Sequence, residues 1–169
     1  MTISDDEDQK LHRLIYASRA APHIVPRMPA AFAEIFRAGL NGNREVDITG
    51  ALLACDTWFL QLLEGPRIQV WRTFQRIAMD SRHRCIYLVK AEPMEEREFA
   101  GWSLCGGRLS QAGEIMTALQ NGRKIGDPEL LSPQMARALL RAIRDVQASS
   151  NSRKAWLEDP APRLQAATR

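Results

Sequence analysis

The pattern of apolar and polar positions divides the chain into short strands and amphipathic helices. Five stretches alternate or are almost continuously apolar, as β-strands do, at residues 11–20, 49–55, 58–65, 84–94 and 102–105. Between them, two segments carry apolar side chains at spacings of three and four, the stripe of a helix, at residues 29–40 and 67–80. The order is β-α-β-β-α-β with a fifth strand, which predicts an α+β, ferredoxin-like fold with both helices on one face of the sheet.

The predicted domain covers residues 11–108, and the remaining segments differ from it in composition. Residues 1–10 are acidic and polar, which is typical of a disordered leader. Residues 109–149 carry helical patterns and are expected to form a C-terminal helical extension. Residues 150–169 are polar and interrupted by prolines, and we expect a loose tail there.

The extension contains two predicted helices, at residues 109–122 and 134–149. The second is amphipathic, with an apolar stripe and a more polar face that carries Arg137, Arg141 and Arg144. Since two helices already cover one face of the predicted sheet, this helix either caps the other face or meets a partner. Capping does not exclude signalling, because the three arginines would line a more polar face available to a partner.

Composition narrows the function classes only slightly. The chain has 169 residues, 45% of them apolar and 25% charged, with a net charge of +3. This mild excess of positive charge is typical of a solvated surface and does not indicate nucleic-acid binding, which favours clustered Lys and Arg. No apolar run approaches the ~20 residues that span a bilayer. Cys55, Cys85 and Cys105 fit neither a zinc site nor a disulfide framework, so we expect a reducing cytoplasm and no bound metal.

No enzyme motif stands out, since the sequence lacks a nucleophile elbow, a zinc-protease motif and a phosphate-binding loop. Gln61 is unusual because it places a primary amide inside the apolar stretch FLQLLEGP. A buried amide requires partners for two donors and an acceptor. In the predicted topology the first strand is the neighbour of this one, so that Tyr16 faces Gln61. The two side chains either only satisfy each other, or leave an amide donor for a ligand between the two helices.

Four further residues are unexpected in a simple core. Asn43 closes the turn sequence NGN, which is expected to end the first helix. Arg82 and His83 follow the second helix, and Trp102 opens the last predicted strand.

These motifs together resemble the BLUF domain, the family of blue-light sensors that use flavin. The matching segments are LIYASRA, NREVDITGALLACDTWFLQLLEGP, VWRTFQRIAMDSRHR and REFAGWSL, which follow in this order within residues 11–108. The resemblance implies a photoreceptor that turns over no substrate and binds FAD non-covalently. It also implies that the flavin ring lies between the two helices of the ferredoxin-like sheet.

The resemblance assigns roles to the polar residues. Tyr16 matches the tyrosine that donates an electron to the excited flavin, and Gln61 matches the glutamine that bridges tyrosine and flavin and rearranges its hydrogen bonds in light. Asn43 matches the asparagine that hydrogen-bonds the carbonyl and amide edge of the ring. Arg82 and His83 match the DxRH segment that lies against the flavin.

Apolar positions receive roles in the same way. Ile48, Phe59 and Leu63 are expected to pack against the ring or in the core. Trp102 matches the tryptophan of the last strand and is expected to belong to the photoactive group with Tyr16 and Gln61. The sequence does not decide whether it lies inside or outside the pocket. Leu104 stands where methionine is common in the family, and we expect its strand to shift when Gln61 rearranges and thereby to change the packing of the C-terminal helix.

Three further positions depart from the family pattern. Gly39 and Gly42 replace a common serine and asparagine, which is expected to leave Asn43 unaided and to loosen this end of the pocket. Asp47 stands where glycine is common, which suggests an altered turn. Flavin affinity and dark recovery are expected to respond to these changes.

The resemblance implies that the output is binding to an unknown downstream signalling protein. It implies neither a nucleic-acid nor a membrane partner, and it leaves a homo-oligomer open. An acylphosphatase-like enzyme or a regulatory module without flavin remains an alternative, because a fold alone does not establish an activity.

Overall fold

The computed structural model describes residues 5–108 and 127–149 of the chain. The helix predicted at 109–122 and the tail predicted at 150–169 lie outside the described residues. The helices and strands are, in chain order, α1 (Asp5–Gln9), β1 (Leu11–Ala20), α2 (Met28–Glu45), β2 (Thr49–Ala54), β3 (Trp58–Pro66), α3 (Arg67–Ala78), β4 (His83–Pro93), β5 (Cys105–Arg108) and α4 (Pro133–Ser149), with short 3-10 turns at Val25–Arg27 and Pro128–Leu130.

The five strands form one sheet in the order β4-β1-β3-β2-β5. β1 is antiparallel to both β3 and β4, and β2 is antiparallel to β3. β5 joins the far edge of the sheet parallel to β2. The predicted α+β, ferredoxin-like fold is confirmed, and with it the neighbourhood of β1 and β3 that the strand order requires.

Side chains alternate between the two faces of the sheet, and helices cover both faces. On one face Leu52 and Phe59 belong to a buried cluster with Phe36 of α2. On the other face Leu53 belongs to a buried cluster with Leu140 of α4. Because both faces are buried, β2 and β3 are almost continuously apolar. Helix α4 therefore caps the face that α2 and α3 leave open, which was the first of the two predicted alternatives.

The polar face of α4 folds back onto the domain. Arg137 Nε donates to Glu98 Oε2 at 2.6 Å, and Arg141 forms an ion pair with the same carboxylate. Arg144 Nη1 donates to the backbone carbonyl oxygen of Glu98 at 2.9 Å. Arg141 stays exposed beside these contacts, so the expectation that the arginines line a face available to a partner stays a prediction. Their acceptor lies in the connection between β4 and β5, too distant in sequence for any local pattern to indicate it.

Helix α2 is longer than the sequence predicts, because it continues through the turn sequence of residues 41–43 to Glu45. An interior glycine costs a helix about 1 kcal/mol relative to alanine, which favours a stop at Gly42. Asn43 offsets that cost, since it is buried and hydrogen-bonded to a neighbouring segment. Asn43 therefore lies in the last turns of the helix and not after it.

The last strand begins later than predicted, at Cys105 and not at Trp102. Gly101 adopts a φ of +79°, and Trp102 N donates to Phe99 O in the turn that this conformation allows. The carbonyl oxygen of Trp102 accepts from Gly50 N, so the segment touches β2 before the regular ladder begins. Trp102 and Leu104 thus lie in the connection before β5.

The leader is ordered over part of its length. Asp5–Gln9 form a short helix, and Asp8 accepts a hydrogen bond from Arg67 at the start of α3. The expectation of disorder across residues 1–10 therefore fails for the described part of the leader.

Within the described ranges, no helix is both long and apolar enough to cross a membrane. The same ranges hold no cluster of three or more His, Cys, Asp or Glu side chains that could bind a metal ion. Cys55 and Cys105 are buried and Cys85 is exposed, all three as free thiols.

Candidate functional site

A cavity opens between α2 and α3 above the sheet, at the place where the resemblance puts the flavin ring. Its volume is about 230 Å³. Pockets that enclose whole drug-sized ligands measure about 300–1,000 Å³, so this cavity suits a ring system and not an entire dinucleotide. It is lined by residues of both helices, of β3 and of the turn after α3, namely Ile35, Ala38, Gly39, Gly42, Asn43, Gln61, Thr73, Arg76, Ile77, Asp80, Arg82 and His83.

Tyr16 and Gln61 are register partners on β1 and β3. Both are buried, and Tyr16 Oη donates a hydrogen bond to Gln61 Oε1 at 2.5 Å. Burial raises the pKa of the Tyr16 phenol well above its usual range, and the nearby charge of Asp80 adds to this. The phenol therefore stays protonated, and its contact with Gln61 confirms the predicted pairing.

Two amides at the cavity have unused hydrogen-bonding capacity. The Gln61 Nε2 donors find no acceptor among residues 5–108 and 127–149. Asn43 donates Nδ2 to the carbonyl oxygen of Ser103 at 2.8 Å, and its Oδ1 finds no donor within the same described ranges. The cavity lining thus offers a ligand one amide donor and one amide acceptor.

His83 lines the cavity beside the Tyr16–Gln61 pair. Its Nδ1 lies 2.8 Å from Ser18 Oγ, and its ring centroid lies 4.8 Å from that of Phe59 and 6.4 Å from that of Tyr16. Burial lowers the pKa of His83 from 6.5 to about 4. The imidazole is therefore neutral near pH 7, which keeps an unpaired charge away from the buried amides.

Arg82 and Asp80 form an ion pair at the edge of the cavity. Arg82 Nε donates to Asp80 Oδ1 at 2.9 Å, and Arg82 Nη2 donates to Asp80 Oδ2 at 2.5 Å. The hydrogen bond from the Arg82 guanidinium holds the pKa of Asp80 below its usual range. Arg82 thus brings NH donors to the cavity while its charge is balanced by the carboxylate.

The three apolar candidates lie behind the cavity lining. Ile48 and Leu63 share a buried cluster with Tyr16 and with Val70 of α3. Phe59 belongs to the cluster beneath α2 and contacts the His83 ring. Their packing fixes the backbone from which Tyr16 and His83 project. Their expected contact with the flavin ring stays a prediction.

Trp102 and Leu104 lie on opposite faces of the sheet. Trp102 packs against the buried cluster beneath α4 and is absent from the cavity lining. Leu104 is buried in the cluster beneath α2, where a Cβ at Gly39 would lie 3.0 Å from its Cδ2. The question that the sequence left open is settled in this structure, because the tryptophan is outside the pocket and the leucine is on the cavity side.

The two glycines of α2 allow close approaches. Gly39 makes room for Leu104, and a Cβ at Gly42 would lie 3.3 Å from the guanidinium of Arg76. Asn43 is also not unaided, because the Ser103 carbonyl orients its amide. The structure thus gives these departures from the family pattern a packing role that the sequence did not reveal.

The turn at Asp47 has the left-handed backbone that glycine favours. Its φ is 54°, and aspartate is among the few residues that tolerate this region. Arg97 Nη2 donates to the carbonyl oxygen of Asp47 at 2.9 Å and to its Oδ2 at 2.7 Å. Arg97 thereby stabilises a backbone turn that a glycine would adopt without such support.

Six lining residues were not identified from the sequence as part of the site. Two of them, Ile35 and Ala38, lie on α2. Thr73, Arg76 and Ile77 project from one side of α3, and Asp80 follows in the turn. Their spacing of three and four places the first three on one helical face. The apolar stripe of α3 packs against the core and includes Ile77, so the sequence pattern alone does not separate residues that line the cavity from residues that pack in the core. Asp80 was visible within the DSRH sequence only as a neighbour of Arg82.

Comparisons with known proteins agree with this geometry. The family model described as BLUF, sensors of blue-light using FAD, matches residues 11–105. The photoactivated adenylate cyclase subunit beta of Euglena longa is 33% identical over 104 residues, which are 61% of this chain and 12% of that protein. The blue light- and temperature-regulated antirepressor BluF of Escherichia coli K12 is 35% identical over 79 residues, 46% of this chain and 20% of that protein.

Solved structures of BLUF proteins also resemble this chain. The BLUF protein BlrB in its dark state is 30% identical with a TM-score of 0.65, and the match covers 82% of this chain and 98% of BlrB. The photo-activated state of BlsA is 27% identical with a TM-score of 0.68, covering 79% of this chain and 94% of BlsA. The chain thus spans nearly the whole length of these two structures and about an eighth of the cyclase subunit. The chain belongs to the BLUF family of flavin-dependent blue-light sensors.

Proposed function

We propose that this chain is a blue-light photoreceptor that holds the ring of FAD between α2 and α3 and responds through the Tyr16–Gln61 pair. The observation that carries the proposal is the buried 2.5 Å hydrogen bond from Tyr16 to Gln61, with the Gln61 side chain lining the cavity. The output is a light-dependent interaction of the C-terminal helical extension with a signalling protein in the cytoplasm.

The residues at the cavity fit a flavin ring by their chemistry. The dioxopyrimidine edge of a flavin presents carbonyl acceptors and one N–H donor. Asn43 Oδ1 is placed to accept, and Gln61 Nε2 and the Arg82 guanidinium are placed to donate. The related Klebsiella pneumoniae protein BlrP1 has been solved with FMN, at 26% identity and a TM-score of 0.56 over 80% of this chain and 35% of BlrP1. FAD and FMN share the ring that this cavity would enclose.

The chain's own residues supply a reversible switch. A bound flavin supplies the absorption of blue light and, once excited, an oxidant for the neighbouring phenol. Tyr16 can release an electron together with its phenolic proton, for which Gln61 Oε1 is the adjacent acceptor. Both return afterwards, so the net change is confined to the hydrogen bonds of Gln61.

An amide is suited to this task because it is both donor and acceptor. Rotation of the Gln61 carboxamide exchanges the positions of its Oε1 and Nε2 without any change in charge. A carboxylate at this position would only accept while ionised. In a buried site an unsatisfied orientation is costly, which favours two discrete arrangements over a continuum.

The experiment is absorption spectroscopy on the purified full chain reconstituted with FAD. We expect a flavin band that shifts to longer wavelength under blue light and returns in darkness. The Gln61→Leu variant keeps a similar volume, so it should retain the flavin and lose the shift. A chain that binds no FAD, or a Gln61→Leu variant that shifts as the parent does, would contradict the proposal.

A further inference from the structure

The strands that carry Tyr16 and Gln61 carry a second cross-strand pair three residues away. Arg13 and Glu64 are register partners on β1 and β3. Because side chains alternate along a strand, an offset of three places this pair on the opposite face, towards α4. Arg13 Nε and Nη2 donate to Glu64 Oε1 at 3.0 and 2.8 Å, with the two side chains 6% and 0% exposed.

Glu98 joins this buried pair to the C-terminal helix. Its Oε2 lies 3.3 Å from Arg13 Nη2, and its carboxylate also pairs with Arg137 and Arg141. Arg144 donates to its backbone carbonyl oxygen. The three arginines are spaced by four and three residues, so they form one stripe along α4. The stripe docks on a single residue of the connection between β4 and β5.

The connection that contains Glu98 also touches the cavity. Phe99 N donates to Glu64 Oε2 at 2.9 Å, and the Arg144 guanidinium lies 5.4 Å from the centroid of the Phe99 ring. A few residues further on, the carbonyl oxygen of Ser103 accepts from the cavity residue Asn43. One short segment is therefore bonded to the cavity at one end and to α4 at the other.

We propose that Glu98 is a positioning residue that couples the hydrogen-bond state of Tyr16–Gln61 to the docking of α4. This coupling rests on the proposed photoreceptor function and names the residues that pass its signal on. A rearrangement at Gln61 that shifts β3 against β1 also moves Glu64 relative to Arg13, because both pairs belong to the same register. Glu64 is bonded to the Phe99 amide, so the shift reaches Glu98 and the arginine stripe.

The electrostatics make this cluster sensitive to small displacements. Buried charges have lost their hydration, and they stay favourable only while their partners keep good geometry. A cluster that loses one contact is therefore driven to rearrange as a unit. The helix at the outer end of the cluster is the element that is free to respond, since α4 is joined to the sheet by side chains and not by a strand ladder.

The test is hydrogen exchange on the full chain with FAD, in darkness and under blue light, with Glu98→Gln. In the parent chain we expect light to lower the protection of residues 133–149 by on the order of 10-fold, as loss of one charge-assisted hydrogen bond does. In Glu98→Gln we expect the dark protection to be lowered already, with less than about a 2-fold further change in light. The light-induced absorption shift should persist in both proteins.

The matched control is Glu96→Gln. Glu96 is exposed and lies two residues before Glu98, so this substitution removes the same charge without removing a buried contact. It should respond to light as the parent does. A Glu98→Gln variant that keeps the parent's light–dark difference in α4 overturns the coupling, and so does a parent chain whose α4 protection is identical in both states. If the parent shows no absorption shift at all, the proposed photoreceptor function has failed instead.

A second variant tests the proposal even if the Glu98→Gln protein does not fold. Arg137→Gln combined with Arg141→Gln removes the same contacts from the outer, partly exposed side. This double variant should also lose the light–dark difference in α4 while it keeps the absorption shift. Retention of the difference in the double variant would overturn the proposal independently.

Discussion

Two cross-strand pairs on β1 and β3 differ in chemistry although they share one register. Tyr16–Gln61 is neutral and lies at the cavity between α2 and α3, whereas Arg13–Glu64 is ionic and faces α4. The amide of the first pair can exchange donor and acceptor without moving charge, and a guanidinium can only donate. The neutral pair is therefore suited to switching, and the ionic pair to holding two segments in one fixed geometry.

The surroundings reinforce the difference between the two faces. On the cavity face His83 lies beside the neutral pair and is kept uncharged near pH 7 by burial, while the charges of Asp80 and Arg82 at the cavity edge balance each other. On the α4 face the charges are kept and matched by one another, through Glu98 and the arginine stripe. The sheet thus separates a site built to change its hydrogen bonds from a site built to hold its ion pairs.

The largest effect should come from removing one member of the ionic pair. Glu64→Leu leaves the Phe99 amide without its acceptor and leaves Arg13 with only its longer contacts to Glu98 and Glu92. Loss of one partner from a buried ion pair costs about 3–5 kcal/mol. Urea denaturation of the parent and the variant would measure this as a lower free energy of unfolding. Replacing both members, with Arg13→Met and Glu64→Leu together, should recover most of the loss. A single variant as stable as the parent would show that the pair is not a clamp.

An acid-dependent loss of stability should come from the cavity face. The pKa of His83 is about 4 in the folded chain and near 6.5 when unfolded, so protons bind to the unfolded state first as the pH falls. The free energy of unfolding should therefore fall by about 3 kcal/mol between pH 6.5 and about 4. Below that pH, His83 should cause no further change. Denaturation at several pH values should show this slope, and His83→Gln should flatten it. An unchanged slope in His83→Gln would assign the effect to other groups.

The smallest change in stability should come from the neutral pair. Tyr16→Phe removes the hydroxyl donor to Gln61, a hydrogen bond worth about 1 kcal/mol net, while the ring packing is kept. Denaturation should therefore show only a minor loss, although the light-induced absorption shift should disappear because no oxidisable phenol remains. Stability loss as large as that of Glu64→Leu would contradict the comparison between the two pairs. A residue pair that acts as a switch should behave in this way, with a small loss of folding stability and a complete loss of the absorption shift.

The site was predictable where alternation along strands controls it. Gln61 in an apolar strand and Tyr16 in the neighbouring one had to meet once the strand order was known, because the two-residue period fixes which side chains share a face. Asn43 lines the cavity, but the sequence predicted that it lies outside its helix. Local turn propensity at residues 41–43 was outweighed by a hydrogen bond to Ser103, a residue distant in sequence.

The sequence by itself predicted the order of helices and strands along the chain, the almost continuously apolar strand around Gln61 and, through the ferredoxin-like topology, the pairing of that residue with Tyr16. These features follow from short-range periodicity and from motifs that lie within single elements. Only the tertiary structure decided the face on which Trp102 lies, the acceptor of the α4 arginines and the ordering of residues 5–9. A charged side chain has the same pattern in the sequence whether it is solvated or paired, because its partner is chosen by packing between segments that are far apart in the chain.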